Sequence, residues 1–291
     1  MLVVRGYLFH SLDLCLFAAK LMGLRSSLSF HAANMRILSH NVFWFQGVPF
    51  AGDSPGPPRG RVVDALGGIY HSLRPDVLCL QEIQSKEAFQ AIAQRMEMRG
   101  IYRPGSLYPQ YGCAVLVREG LELALLEAET LPTESPQRCH LLTRIHPVAD
   151  SGKSWILANV HLPSGRQVGP EAAKAIRAGE VAQTLRWKPL IMLGDFNETP
   201  GGGTDALLQD HGYEEPCSEQ AGEMIPSTLG GRRIDRFWIQ QTARNGMFSR
   251  ISDLQALETN RMRVADGPVS AWSDHLPIWV DLLESPLRTT A

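Results

Sequence analysis

The sequence predicts an α/β protein in which two mainly antiparallel β-sheets pack face to face, with helices on the outside. Three observations lead to this prediction. Short apolar runs that end in polar residues recur from residue 35 almost to the C-terminus. Segments with apolar residues at helical spacing lie between some of these runs. Near the middle of the chain, four runs follow one another with only Gly, Pro and Ser punctuation, which is typical of an antiparallel meander.

The first elements form a strand, helix, strand unit. Residues 35–42 (MRILSHNV) and 76–82 (DVLCLQE) have the length and composition of buried strands, and residues 61–73 (RVVDALGGIYHSL) have helical spacing. The Pro- and Gly-rich segment 50–60 reads as a loop before that helix. A second helix is predicted for KEAFQAIAQRMEM, residues 86–98.

The remaining elements continue the alternation. The meander consists of four predicted strands, at residues 112–119, 121–129, 139–147 and 154–162. A clear helix with a proline near its first turn follows at residues 170–187, and it leads into the strand PLIMLGDFN, residues 189–197. Beyond it we expect a short helix at 203–212 and strands at 233–240 and 276–284. No repeat or long linker divides this part of the sequence.

Composition and charge exclude some functional classes. The chain has 291 residues, 44% of them apolar, so it can bury a full core. A formal net charge of -2 gives no overall positive field that would draw the chain to nucleic acid, although local basic clusters could. The five cysteines are widely spaced and form no C-x-x-C pair, so we expect reduced, mostly buried thiols at Cys15, Cys79, Cys113, Cys139 and Cys217.

Residues 1–34 differ from the rest and are predicted to be an N-terminal extension that is poorly ordered or serves in targeting. The segment is apolar, but Arg5, His10, Asp13 and Lys20 interrupt it, so no run approaches the ~20 apolar residues of a membrane helix. Its basic residues and serines fit an organelle transit peptide better than a secretory signal. The interrupted apolar segment and the reduced thiols favour a cytoplasmic protein without a strong membrane signal. Organelle targeting through residues 1–34 is the alternative.

The candidate functional residues lie at the ends of the apolar strands. In LGDFNETP, an apolar run releases an aspartate and an asparagine past a glycine, and alternate residues of a strand share a face. Any one such residue could simply cap a turn or pair locally. Buried strands gain nothing from acids and histidines unless a site needs them, so the repeated pattern indicates a functional site. Its members are Asn41, Glu82, His161, Asp195, Asn197, Asp235, Asp274 and His275.

The residue types in this set favour a hard divalent ion. Asn41, Glu82 and Asp274 offer oxygen and no cysteine is among them, which suits Mg²⁺, with Mn²⁺ as an alternative, and disfavours structural zinc. Asp195 and the two histidines remain for proton and charge handling. A metal, a carboxylate base and imidazoles are what phosphoryl chemistry requires, because water must be activated and the phosphorus oxygens neutralised.

The ordered motifs HNV, QE, NVHLPSG, GDFN, RIDRF and SDHLPIW resemble those of the endonuclease/exonuclease/phosphatase superfamily of magnesium-dependent phosphohydrolases. The resemblance covers residue 35 to about residue 283, and we assign residues 35–291 to one such domain. It implies a four-layer α/β sandwich with the site at the shared edge of the two sheets. It also implies that Glu82 is the principal metal ligand, with Asn41 and Asp274 in the coordination or next to it.

The same resemblance implies roles for the other five residues. Asp195 orients or deprotonates the attacking water, and Asn197 hydrogen-bonds the phosphate or the nucleophile. His161 and His275 stabilise the pentacovalent transition state. Asp235 orients His275 and favours its protonated, positively charged form, as a carboxylate does for an imidazole.

One position departs from the family pattern. The DNA-repair members have an aspartate two residues after the asparagine, where this sequence has Phe43, and this argues against an abasic-site endonuclease. Specificity in such folds resides in loops, here residues 43–61, 103–112, 163–170 and 215–233. Phe43, Trp44 and Phe45 are candidates to stack on a base or contact a lipid. The basic cluster Arg232, Arg233 and Arg236 is a candidate phosphate contact.

The leading functional hypothesis is a metal-dependent phosphodiesterase or nuclease-like hydrolase of a phosphoester substrate, with nucleic acid among the candidates. The alternatives are a phosphomonoesterase or phospholipase-type enzyme acting on lipid or sugar phosphates and, less favoured, a non-catalytic binding protein of the same fold.

Overall fold

The computed structural model describes residues 34–52, 54–126, 137–150, 152–216, 225–243 and 247–284. The predictions for residues 1–33, Cys15 and Cys217 lie outside this part of the chain. Asn34 is already the first residue of strand β1.

Two sheets form the centre of the molecule. The larger sheet contains β1 (Asn34–Asn41), β2 (Val77–Ile83), β3 (Arg99–Arg103), β4 (Gly112–Val117), β11 (Phe248–Ile251), β12 (Gln255–Ala256) and β13 (Ile278–Glu284), in the order β11-β13-β1-β2-β4-β3 with β12 also paired to β13. The smaller sheet contains β5 (Leu121–Leu125), β6 (Cys139–Pro147), β7 (Trp155–His161), β8 (Ile191–Asp195), β9 (Tyr213–Glu214) and β10 (Asp235–Gln240), in the order β5-β6-β7-β8-β10-β9.

Helices cover the outer faces of both sheets. They are α1 (Gly60–Leu73), α2 (Lys86–Met96), α3 (Gly165–Val168), α4 (Pro170–Leu185), α5 (Gly203–Asp210) and α6 (Thr259–Met262), and a 3₁₀ turn spans Phe43–Phe45. Ser85 caps α2 by accepting a hydrogen bond from the Ala88 N–H. Pro170 occupies the first turn of α4, where its missing N–H costs nothing.

The predicted four-layer sandwich is confirmed by three apolar clusters. Between the sheets lie side chains such as Ile37 and Cys79 from one sheet and Leu157 and Leu193 from the other. The alternate residues of the same strands face the helices: Leu38 and Leu80 pack with Leu66 and Tyr70 of α1. Ala158, Val160 and Met192 pack with Val181 and Leu185 of α4. Period-two burial on both sides of each sheet therefore produces the layers.

The two halves share a strand pattern that sets up the site. β1 and β2 are parallel, as are β7 and β8, and the other strand pairs of both sheets are antiparallel. Each parallel pair is connected across a helix, α1 in one half and α4 in the other. The mainly antiparallel character is thus confirmed.

Several differences from the sequence prediction have simple causes. Strands β3, β9, β11 and β12 were not predicted, because they are short and mostly at sheet edges, where burial is incomplete and apolar periodicity is weak. The predicted strand 121–129 ends at Leu125, and residues 127–136 lie outside the described chain. Cys79, Cys113 and Cys139 are free and buried, as expected. No helix in the described residues is long and apolar enough to cross a membrane.

Candidate active site

The C-terminal ends of two pairs of parallel strands, β1 with β2 and β7 with β8, converge at one edge of the sandwich. Asn41 ends β1, His161 ends β7 and Asp195 ends β8, while Glu82 is the penultimate residue of β2. Asp235 begins β10, which runs antiparallel, and is paired with Asp195. Parallel neighbours finish on the same side of a sheet, so residues far apart in sequence meet here.

Alternation along the strands aims most of these side chains inward. Asn41, His161 and Asp195 have the same parity as Ile37, Leu157 and Leu193, which fill the space between the sheets. By the same counting Glu82 would follow Leu78 and Leu80 toward the helices. It does not, because a bulge intervenes: the β2–β4 register shifts between Gln81 and Ile83, and Glu82 has a left-handed φ of 57°. The bulge redirects the carboxylate into the site.

Glu82 is buried and its charge is poorly compensated. Its Oε1 lies 3.7 Å from His161 Nε2 and 4.0 Å from Arg138 Nη1, and its Oε2 has no hydrogen-bond partner among the described residues. Burial raises the pKa of Glu82 to about 7, and Asp274 adds to this rise, while Arg138, His275 and the Asn41 amide oppose it.

Asp195 is held by two donors. Asn41 Nδ2 donates to its Oδ2 at 3.0 Å, and the Asn197 N–H donates to its Oδ1 at 2.9 Å. Asn41 Oδ1 accepts from the Phe43 N–H, which fixes the orientation of this amide. Burial raises the pKa of Asp195 to about 6, with Asp235 contributing and His275 opposing. Asp195 is therefore a fixed carboxylate with raised basicity.

Asp235 and His275 form a buried pair. His275 Nδ1 lies 2.7 Å from Asp235 Oδ2, which also accepts from Ser227 Oγ at 2.7 Å. Burial alone lowers the pKa of His275, but Asp235 and Asp274 outweigh it and raise the pKa well above its usual range. Asp235 pairs with this histidine and not with the adjacent arginines. The ring is held as a cation whose Nε2 lies 4.0 Å from Asp195 Oδ2.

A cavity of about 520 Å³ opens over these groups. Glu82, Asp195, Asn197, Asp274 and His275 all line it. Asn197 follows the end of β8 with φ at 49°, and its Nδ2 donates to the Leu162 carbonyl at 3.0 Å. The sequence had suggested that strand alternation places Asn197 beside Asp195. The strand ends at Asp195, however, and a turn places Asn197 there.

The structure adds Arg138, which the sequence prediction missed. It immediately precedes β6, whose first residue Cys139 is paired with His161. Arg138 Nη1 forms a short contact with His161 Nε2, the guanidinium lies 4.3 Å from the Tyr111 ring centroid, and Gln167 accepts from its Nε and Nη2. The sequence did contain one signal: Arg138 directly precedes an apolar strand of the predicted meander. The next strand of that meander carries His161, and consecutive strands of a meander pair with each other.

Arg138 changes the setting of His161. His161 is fully buried, whereas Arg138 lines the cavity. Burial, together with Arg138 and His275, holds the pKa of His161 well below its ordinary range. The ring is therefore neutral and accepts a hydrogen bond from the guanidinium, so the positive charge on this wall belongs to Arg138.

Of the residues predicted to contact substrate, some line the cavity and others are buried in the interior. Arg232 is exposed and lines the cavity, whereas Arg233 and Arg236 are buried against Glu215, and Arg236 also bonds to Asp205. Among the aromatic candidates, Phe43 lines the cavity. Trp44 and Phe45 are buried, and Trp44 Nε1 donates to the Gln110 carbonyl.

The donor set fits a hard divalent cation. The ligand atoms of Glu82, His161 and Asp195 lie within 4.8 Å of one another. Glu82 Oε2 and Asp274 Oδ1 are buried oxygens without partners among the described residues, as expected for atoms that coordinate an ion. A second group, Asp195, Asp235 and His275, is equally compact, and in it a hydrogen bond joins His275 Nδ1 to Asp235 Oδ2.

Fold and site together define a phosphoric ester hydrolase: a sandwich edge with a fixed carboxylate, cationic imidazole and guanidinium groups, and free carboxylate oxygens around one cavity. The chain belongs to the endonuclease/exonuclease/phosphatase family, whose model matches residues 38–275.

Solved structures share the fold at low sequence identity. The human Nocturnin catalytic domain with bound sulfate anion has 16% identity and a TM-score of 0.65, covering 88% of this chain and 95% of that one. Truncated Caenorhabditis elegans TDP2 has 15% identity and a TM-score of 0.57, covering 86% and 98%. An endonuclease/exonuclease/phosphatase family protein from Bacteroides thetaiotaomicron has 14% identity and a TM-score of 0.60, covering 88% and 100%. No curated protein sequence matches the chain significantly.

Proposed function

We propose that the protein is a divalent-metal-dependent phosphodiesterase of the nuclease type, with Mg²⁺ as its ion and Mn²⁺ as a substitute. The observation that carries this proposal is the meeting of Glu82, Asp195 and His275, from different parts of the chain, around one cavity. The sulfate described in the Nocturnin catalytic domain supports it, since sulfate has the tetrahedral geometry of a phosphate group.

Glu82 would hold the ion, with Asp274 and Asn41 beside it. The unpartnered oxygens of Glu82 and Asp274 support this assignment. Asn41 uses its nitrogen to hold Asp195 and its oxygen to accept from Phe43, so only the second lone pair of that oxygen remains for the ion. When bound, the ion supplies Lewis-acid polarisation of a phosphoryl oxygen.

Asp195 takes a proton from the attacking water. Both of its oxygens accept fixed hydrogen bonds, so its lone pairs have a defined direction. A pKa of about 6 leaves it ionised at neutral pH and more basic than a solvent-exposed aspartate. Asn197, on the same cavity wall, holds the water or a phosphate oxygen.

His275 and Arg138 neutralise the charge that develops on the phosphorus oxygens. Asp235 keeps His275 protonated and orients its Nε2, and Arg138 presents a guanidinium that suits phosphate oxygens. His161, proposed from the sequence to act on the transition state, would do so through Arg138, whose guanidinium it holds.

The decisive test compares a chromogenic phosphodiester, bis(p-nitrophenyl) phosphate, with the monoester p-nitrophenyl phosphate, each with EDTA and with Mg²⁺ or Mn²⁺ restored. We expect metal-dependent turnover that favours the diester. Asp195→Asn should abolish it, while Asp210→Asn, at an exposed aspartate at the end of α5, should not. Preference for the monoester would support the phosphomonoesterase alternative, and no metal-stimulated hydrolysis of either would contradict the proposal.

A substrate panel then resolves the class. Plain single-stranded DNA, RNA, abasic DNA, inositol phosphates and sphingomyelin separate nuclease from lipid and sugar phosphate activity. With Phe43 at the position of the repair members' aspartate, we expect no preference for abasic DNA over plain strands.

A further inference from the structure

Two buried amides join the sheets directly beneath the site. Gln81 on β2 and Asn159 on β7 are both fully buried, and Gln81 Nε2 donates to Asn159 Oδ1 at 2.7 Å and to Ser39 Oγ at 3.1 Å. Gln81 directly precedes Glu82, and Asn159 lies two residues before His161. The bond therefore connects the two strands that deliver these residues.

These amides are costly where they lie. Their strand neighbours Cys79, Cys113 and Leu157 belong to the apolar layer between the sheets. A buried amide is destabilising unless its hydrogen bonds are made, and Gln81 Oε1 has no partner among the described residues. An apolar pair would serve packing as well or better, so stability alone does not account for the amides.

Asn159 also reaches the backbone of the opposite sheet. Its Nδ2 donates to the carbonyls of Leu80 on β2 and Ala114 on β4, at 3.0 and 2.9 Å. Leu80 and Ala114 are paired next to Gln81 and Cys113, the last pair before the register shift that creates the bulge. A side chain of the smaller sheet thus binds the larger sheet two residues before Glu82, one residue pair away from the start of the bulge.

The bulge needs such support. Glu82 has a positive φ of 57°, a left-handed conformation that is unfavourable for a non-glycine residue. Without the bulge its carboxylate would face the helix layer. Relaxation of this strain would therefore remove the carboxylate from the cavity.

We infer that Asn159 and Gln81 are positioning residues: this amide clamp holds the Glu82 bulge and sets the separation of the two sheets at the site, so that Glu82 from one sheet meets Asp195 from the other. The inference rests on the proposed metal function for its catalytic consequence, but not for its structural one.

The test uses the single variant Asn159→Leu and the double variant Gln81→Leu/Asn159→Leu, which removes both amides and leaves none unsatisfied. Tyr213→Phe is the control, because it removes another buried side-chain hydrogen bond of the smaller sheet, to the Pro189 carbonyl. Hydrogen–deuterium exchange of the metal-free proteins measures directly how well the backbone hydrogen bonds around the bulge are protected. We expect faster exchange of residues 80–84 and 112–116 in both clamp variants and unchanged exchange there in Tyr213→Phe.

Two further measurements test the effect on the site. They are the Mg²⁺ concentration at half-maximal thermal shift, and the separate values of kcat and KM. We expect the double variant to recover stability relative to Asn159→Leu and yet to need at least tenfold more Mg²⁺, with kcat reduced more than KM is changed. Wild-type exchange at the bulge and a wild-type Mg²⁺ midpoint in the double variant would overturn the inference. If the wild-type protein shows no Mg²⁺ response, the proposed function fails, while the exchange comparison still decides the clamp.

Discussion

Replacing Glu82 with glutamine should stabilise the metal-free protein at alkaline pH while abolishing its activity. The variant keeps the size of the side chain and removes the buried charge. Burial raises the pKa of Glu82 from 4.5 to about 7, so ionising this group costs about 3 kcal/mol more in the folded than in the unfolded state. Since the pKa is raised by folding, the carboxyl group carries no penalty below about pH 4.5, and the penalty grows from there to about pH 7 and stays constant at higher pH.

The difference between variant and wild type isolates this effect. In EDTA the two should have similar melting temperatures near pH 4.5, and at pH 8 the variant should melt roughly 6–12 °C higher, at about 2–4 °C per kcal/mol for a domain of this size. Mg²⁺ should raise the melting temperature of the wild type, because it binds the folded state, and leave the variant unchanged. Thermal denaturation followed by circular dichroism, at both pH values with EDTA or Mg²⁺, gives all of these values.

Glu180→Gln is the matched control. Glu180 is also buried, but its carboxylate lies 3.1 Å from His140 Nε2 and accepts from the Gln137 N–H at 2.7 Å. Its loss should destabilise the fold at pH 8 and preserve the Mg²⁺ response. The reasoning is refuted if the Glu82 variant gains no stability between pH 4.5 and 8, or if it still hydrolyses the diester at the wild-type rate.

Three further predictions concern other groups. Asp235→Asn should lower the pKa of His275, so that the loss of activity with rising pH begins at lower pH; a pH–rate profile that coincides with the wild type would contradict this. Arg138→Gln should reduce kcat on the diester by about 10²-fold without a large change in the Mg²⁺ midpoint, as steady-state kinetics will show. Glu215→Gln should destabilise the fold by about 3 kcal/mol, because Arg236 loses its bidentate partner; an unchanged melting temperature would disprove that role.

Much of the site was present in the sequence because strand alternation and the ends of apolar runs are local features. Asn41, Asp195 and Asp235 share the parity of the core residues on their own strands, so reading the strands correctly was enough to face them inward. The ordered motifs then indicated the family, which the match over residues 38–275 confirms. The short edge strands gave no comparable signal.

The basic residues show where local reading ends. Arg232, Arg233 and Arg236 form one cluster in sequence, but only Arg232 lines the cavity, because Glu215 binds the other two in the interior. Conversely, Arg138 stands alone in sequence and is brought to His161 by the pairing of β6 with β7.

By itself, the sequence determined the two-sheet sandwich, the strands that reach the edge with the candidate site and most of the acids, amides and histidines there, since each depends on residues close together in the chain. Only the tertiary structure decided that Glu82 turns into the cavity and that His161 lies buried behind Arg138. The first depends on a bulge at a shift of the β2–β4 register and the second on a contact between neighbouring strands, and both are set by pairing between distant segments, which no local pattern of residues encodes.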